Sequence, residues 1–229
     1  MDGEHWDLRD DVFESNEPIF IGGGTREGKG VIGAQLHAEC RQLRIFFNIE
    51  HQEDIPGVRC ESVEDLRGAL AGGATQIDYR PGLDEEASFA ELQQYLFDLG
   101  EQLGGDPSSS EYGPRGEGIT MTLLVDEAQE IANGDKKKGP LIRCIKRGAK
   151  RGIKTVPLSQ APQEVANAAL RQMEFHVWMG KPSSFSSGYF DNYGLPYDYC
   201  AEAPKYTGTV IHKTGTPLDR RIQAKEQYV

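Results

Sequence analysis

Apolar residues along this chain fall into two alternating kinds of segment. "PIFIGG", residues 18–23, is a short unbroken apolar run closed by glycines, which suits a buried strand feeding a loop. After it Ile32, Leu36, Cys40 and Leu43 recur at spacings of three and four, which predicts a helix with one apolar stripe. "RIFFNIEH" reads as the next strand, so the chain opens as a βαβ unit. "SVEDLRGALAGG" carries an N-capping serine, Ser62, and terminal glycines, and it predicts a short helix before the strand "TQIDYRP". Phe89, Leu92, Leu96, Leu99 and Leu103 mark a second striped helix, which ends in the polar loop "GGDPSSSEYGPRGEG".

The second half keeps the alternation. "ITMTLLVDEAQEIAN" is an apolar run that stops abruptly at Asp126-Glu127. A basic helix ending near Arg151, the strand "KTVPLSQ", the helix "PQEVANAALRQ" and the strand "EFHVWMG" follow. Pro157 has no N–H to give to a ladder, so a bulge or irregular pairing is expected there. The remainder is rich in Tyr, Gly and Ser, with one strand at "GTVIHK". Alternation of this kind predicts a doubly wound α/β domain with a mostly parallel central sheet and helices on both faces. It divides the chain into an acidic segment at 1–17, a core at 18–182, and an extension at 183–229 that packs on the core.

Charge changes the picture in two places. The net charge is −11 and the pI about 5.0, which taken alone argues against a nucleic-acid partner. Acid is concentrated at the N-terminus and in "DEEASFAELQQYLFDLGEQLGGD", however, whereas Lys136 to Lys154 holds no acidic residue. Lys136, Lys137 and Lys138 follow the turn signal Asn133-Gly134 and are expected on a loop. The acidic body also suits a protein kept hydrated in concentrated salt, as in a halophilic host, although an ordinary acidic protein looks the same. No apolar run is long enough to cross a bilayer, and the expectation is a soluble, intracellular protein. Four scattered cysteines, with no Cys-x-x-Cys pair, imply reduced thiols and neither a disulfide framework nor a zinc site.

The chemistry lies in two motifs. Gly23-Gly24-Thr25-Arg26-Glu27-Gly28-Lys29-Gly30-Val31 has the spacing of a loop whose backbone N–H groups cradle nucleotide phosphates, with Lys29 adding a full charge. The Ser or Thr that normally follows the lysine is replaced by Gly30, so the hydroxyl ligand to Mg2+ is missing. Asp126 at the end of an apolar strand is placed to hold that metal, and Glu127 to polarise an attacking water. A solvated helix face is the plain alternative for the basic run, a simple turn for the glycines, and a helix cap for Asp126-Glu127.

With these motifs and the third strand ending in Ser159-Gln160 before "APQEV", the stretch from Pro18 to Lys181 resembles the HerA/FtsK superfamily of ATP-driven DNA translocases. Its small size is similar to that of the genome-packaging ATPases of viruses with an internal membrane, including those of halophilic archaeal hosts. The resemblance implies a RecA-like P-loop ATPase using ATP and Mg2+, with Gln160 as polar sensor. It also implies a homo-hexameric ring, double-stranded DNA bound without sequence preference, possible capsid or membrane-vertex partners, and a location in the host cytoplasm or virion. Family members supply an arginine across the subunit boundary, and Arg147, flanked at helical spacing by Arg143 and Arg151, is the favoured position. Where the family has Gly-Ser, this chain has Arg26-Glu27, so Glu27 must point away from phosphates or pair with Arg26. A small-molecule kinase and a P-loop scaffold without turnover are the competing readings.

Overall fold

The computed structural model describes residues 17–39, 43–106, 108, 118, 120–132 and 139–223. The acidic segment before residue 17, Cys40 of the first stripe and the lysine loop at 136–138 lie outside them. Among the described residues the chain runs β1 (Ile19–Gly23), α1 (Lys29–Glu39), β2 (Leu43–Phe47), β3 (Val58–Cys60), α2 (Val63–Ala71), β4 (Gln76–Tyr79) and α3 (Glu85–Gln102). It continues through β5 (Met121–Val125), α4 (Ala128–Ile131), α5 (Pro140–Arg147), β6 (Ile153–Ser159), α6 (Asn167–Leu170), β7 (Phe175–Met179), α7 (Ser187–Tyr193), α8 (Tyr197–Ala201), β8 (Thr207–His212) and β9 (Pro217–Gln223).

The strands form one mixed sheet in the order β3-β4-β2-β5-β6-β1-β7-β8-β9. The seven strands from β3 to β7 pair in parallel, while β8 and β9 add on as antiparallel strands at the β7 edge. Strand periodicity splits the core into two layers. Phe20, Ile45, Phe47, Leu123 and Val125 face a large cluster with Leu66 of α2, Phe89, Leu92 and Leu96 of α3, and Leu141, Cys144 and Ile145 of α5. Their neighbours Ile19, Ile21, Phe46 and Leu124 face the other side, with Ile32 and Leu36 of α1. Successive side chains on a strand point to opposite faces, so burial on both faces explains why these strands read as continuous apolar runs. Helix α1 lies close upon β6: a Cβ on Gly33 would come within 2.6 Å of Leu158 Cδ2.

Local chemistry sets the ends of the elements. Ser62 caps α2 as expected, accepting from the Asp65 N–H at 3.1 Å, and Asp84 caps α3 by accepting from the Ala87 N–H at 2.9 Å. Several sequence expectations need correction. Leu43 begins β2 instead of closing the α1 stripe, and β2 stops at Phe47, short of the expected end of its strand. The segment read as one helix after Gln160 is a 3-10 turn at Pro162–Glu164 followed by the single turn α6. Pro157 sits in unbroken register opposite Val125, with no bulge, and β1 joins β6 only beyond it, at Ile21 opposite Leu158. The stretch after residue 182 contributes two strands where one was expected, and the edge strand β3 was not anticipated.

Two buried histidines make stability pH-dependent. Burial pushes His37 down to about 3, against the pull of its 2.8 Å hydrogen bond with the Pro56 carbonyl, and burial pushes His176 down to about 4. A histidine lowered on folding contributes fully above its unfolded value and loses that contribution as pH falls toward the folded one. Unfolding free energy should therefore drop below pH ~6.5, by on the order of 1 kcal/mol per pH unit for each histidine. Urea titrations at pH 7.5, 6 and 5 check this, and a constant midpoint would contradict it.

Candidate active site

All the candidate phosphate- and metal-handling residues lie at the C-terminal ends of the parallel strands, where open α/β sheets form their binding crevice. β1 leads into the loop 23–28. Its turn is closed by the Glu27 N–H donating to the Gly24 carbonyl at 3.2 Å, and Gly28 adopts φ +98°, a conformation that favours glycine. A Cβ on Gly28 would also come within 3.0 Å of Tyr206 Cδ1, so a side chain from the C-terminal extension supports the loop. Helix α1 starts at Lys29 and points its free N–H groups into the crevice.

Lys29 is the centre of the site. Its Nζ donates to Asp126 Oδ1 at 2.8 Å and Glu127 Oε1 at 3.0 Å, and all three side chains are less than a tenth exposed. Burial alone would lower the lysine pKa, but the two carboxylates outweigh it and hold the ammonium above its usual range. β5 delivers Asp126, and the chain then turns through Glu127 in a left-handed conformation, φ 41° and ψ 50°, before α4. That backbone geometry is strained for a residue other than glycine, and here it aims the carboxylate into the crevice.

Strand β6 lies between β1 and β5, and its end joins the two motifs. Thr25 Oγ1 donates to Gln160 Oε1 at 2.7 Å, which ties the loop to the strand. Beside it runs a buried chain: the Ala161 N–H donates to Ser159 Oγ at 3.0 Å, Ser159 Oγ to Gln129 Oε1 at 2.5 Å, and Gln129 Nε2 to Glu127 Oε2 at 2.5 Å. Both carboxylate oxygens of Glu127 are thereby held. Gln129 and Ser159 escaped sequence reasoning as site residues, as did Gln52, whose Nε2 donates to Asp126 Oδ2 at 2.6 Å.

The remaining candidates divide. Glu27 packs against the backbone of Gly180 at the end of β7, where a Cβ would collide with its carboxylate. Arg26 is exposed at φ 64°. Val31 and Gly30 sit in the first turn of α1, and Gly24 and Gly23 lead into the loop. Arg147 is not part of this cluster. It ends α5 next to Gly148, whose carbonyl accepts from the Ile153 N–H that opens β6, so it lies at the opposite end of a seven-residue strand from Ser159, roughly 20 Å away. The helical spacing of Arg143, Arg147 and Arg151 does not continue either, because Arg151 belongs to a separate 3-10 turn after Gly148. There Arg151 Nε donates to Glu101 Oε1 at 2.8 Å, with its guanidinium 4.3 Å over the Phe97 ring. Arg143 and Arg147 are exposed.

By sequence, no protein-family model and no curated protein matches the chain. Solved structures do. The genome packaging NTPase B204 from Sulfolobus turreted icosahedral virus 2, in complex with sulfate, superposes with a TM-score of 0.66 at 12% identity, over 91% of this chain and 96% of that one. The fold is that of a RecA-like P-loop NTPase. Residues 24–28 connect β1 to α1, the place where that fold carries its P-loop, and β6 is inserted between β1 and β5. The same viral NTPase in complex with ATP-gammaS gives 0.64 at 11% identity, over 88% of this chain and 94% of that one. EssC (ATPases 2 and 3) from Geobacillus thermodenitrificans gives 0.58 at 14%, over 93% of this chain and 41% of that one. These neighbours agree with the HerA/FtsK resemblance at the level of fold.

The donor set around Lys29 suits a hard cation shared with phosphate. Two carboxylates and an amide converge there, and Mg2+ prefers such oxygens while keeping waters and substrate phosphates in its shell. Among the described residues no cluster of three or more His, Cys, Asp and Glu could hold a metal without such help. Among them, too, no helix is long and apolar enough to cross a membrane.

Proposed function

We propose that this chain is an ATP-hydrolysing DNA translocase of the HerA/FtsK kind, working as a homo-hexameric ring that drives double-stranded DNA into a viral capsid, in host cytoplasm or virion. The observation that carries the reading is Lys29 bonded to both Asp126 and Glu127 at the mouth of the P-loop. A phosphate-binding lysine, a metal-binding carboxylate and a second carboxylate free of that metal task are the parts that hydrolysis requires.

The residues divide the work physically. The N–H groups of the P-loop and the N-terminus of α1 receive the β- and γ-phosphates, and Lys29 moves from its carboxylates to the γ-phosphate as that charge arrives. Asp126, with phosphate oxygens, would hold Mg2+, which would neutralise charge on the phosphates. Glu127 accepts a proton from the water that attacks in line, and Gln129 fixes the rotamer that makes this reachable. Gln160 reports the state of the γ-phosphate, because a phosphate at Thr25 competes for the hydroxyl that Gln160 accepts from. Arg147 serves the site of the neighbouring subunit.

The likeness to a viral genome packaging NTPase supports packaging as the translocation task. A small-molecule kinase would place an acceptor hydroxyl where Glu127 addresses water, and a scaffold would show no turnover. ATP hydrolysis with and without duplex DNA, at low and molar salt, separates the three. The motor requires DNA-stimulated phosphate release, a kinase requires an added acceptor, and a scaffold releases nothing.

A further inference from the structure

The P-loop of this chain ends in glycine where an oxygen is needed, and the space above that glycine is filled. A Cβ on Gly30 would lie 3.3 Å from Gln52 Oε1 and 3.5 Å from Gln52 Nε2. The same amide donates from Nε2 to Asp126 Oδ2 at 2.6 Å. Gln52 thus bridges the two positions between which a Ser or Thr hydroxyl and the aspartate would share a metal.

Its placement is built, not incidental. Gln52 follows β2, and its backbone is held on both sides by buried groups. The Gln52 N–H donates to Asn48 Oδ1 at 2.8 Å, while its carbonyl accepts from Asn48 Nδ2 and from Arg80 Nη2, each at 2.9 Å. Asn48 and Arg80 are locked in turn by Asp78, which accepts from Asn48 Nδ2 and Arg80 Nε at 2.8 Å each. Asn48, Asp78 and Arg80 are 0%, 2% and 5% exposed. A buried, mutually satisfied network of this kind fixes what hangs from it, and the Gln52 side chain hangs over Gly30.

We infer that Gln52 replaces the missing P-loop hydroxyl: it holds Asp126 through its amide N–H and offers its side-chain carbonyl oxygen to the Mg2+ that accompanies the nucleotide. An amide carbonyl is a neutral hard oxygen, as a hydroxyl is, so the charge of the site is unchanged by the exchange. The inference rests on the reading that the P-loop binds a nucleoside triphosphate. A hydroxymethyl at residue 30 enters the space that Gln52 fills, so Gly30→Ser should lower the Mg2+ requirement only once Gln52 is shortened.

The test is the affinity for ATP-gammaS, measured by calorimetry in EDTA and with Mn2+ as the metal probe, for the wild type, Gln52→Ala, Gly30→Ser and the double variant. The Gln52 backbone bonds survive truncation of its side chain, so Gln52→Ala keeps its fold. Wild type should bind more tightly with Mn2+ than in EDTA. Gln52→Ala should lose about 10- to 100-fold of that metal-linked gain, read as the ratio of its Mn2+ affinity to its EDTA affinity. The double variant should recover most of the loss, whereas Gly30→Ser alone should add nothing. A wild-type gain retained in Gln52→Ala, or a double variant that recovers nothing, overturns the inference. Wild-type binding in EDTA with no gain from Mn2+ overturns it too, yet leaves the nucleotide reading standing. No binding under either condition removes both.

Discussion

Glu127→Gln should cut ATP turnover by on the order of a thousandfold while ATP still binds, because an amide cannot take the proton of the attacking water. The surroundings sharpen the expectation. One Glu127 oxygen accepts from Lys29 and the other from Gln129, so the glutamine must set its NH2 against one of those donors and lose a hydrogen bond. Lys29 keeps Asp126 as its partner, however, and the phosphate loop stays assembled. Lys29→Ala is a different experiment. It leaves two buried carboxylates without their shared cation, and losing one partner of a buried pair costs about 3–5 kcal/mol, so weaker nucleotide binding will come with a lower melting temperature. Single-turnover hydrolysis beside direct binding distinguishes the two, and wild-type turnover in Glu127→Gln would remove that residue from its role.

Arg147→Ala should lower hydrolysis on the order of a thousandfold even without DNA, since an arginine offered to the γ-phosphate from a neighbouring subunit carries an effect of that size. Within its own chain Arg147 lies at the far end of β6 from the crevice, so the loss would have to act through another copy. Mixing Arg147→Ala with Glu127→Gln tests this directly. Each variant retains the half-site that the other lacks, and a mixed ring should regain activity wherever the intact halves meet. Activity that stays absent in co-assembled mixtures would pass the role to Arg143, because Arg151 is already engaged by Glu101 and Phe97.

The parallel sheet and the linear motifs were legible because their signals are local. "GGGTREGKG" between an apolar run and a helical stripe, and an apolar run stopped by Asp126-Glu127, each announce themselves within a dozen residues. Gln52 does not. Nothing in "IEHQEDIP" marks it, and it meets Asp126 only because β2 pairs beside β5, with Phe47 opposite Val125. The one available clue was negative, the hydroxyl absent at Gly30, which calls for an oxygen from elsewhere. Gln129 and Ser159 were visible as letters beside their motifs, but their mutual bond depends on β6 lying between β1 and β5, an order that alternation alone leaves open. The broken helix after Gln160 was missed because apolar periodicity does not register Val165 and Ala166 turning the backbone out of the α conformation.

Strand β6 has a final consequence for how variants will behave. One end of it carries Ser159 and leads to Gln160, and the other opens beside the end of α5 that holds Arg147, with the strand buried along its length. In an assembled ring each subunit would therefore belong to two catalytic interfaces at once, joined by a single stiff rod. Subtle repacking of Val156 or Leu158 should then surface in a genetic screen as lost coordination between neighbouring subunits, in protein that still expresses and melts normally.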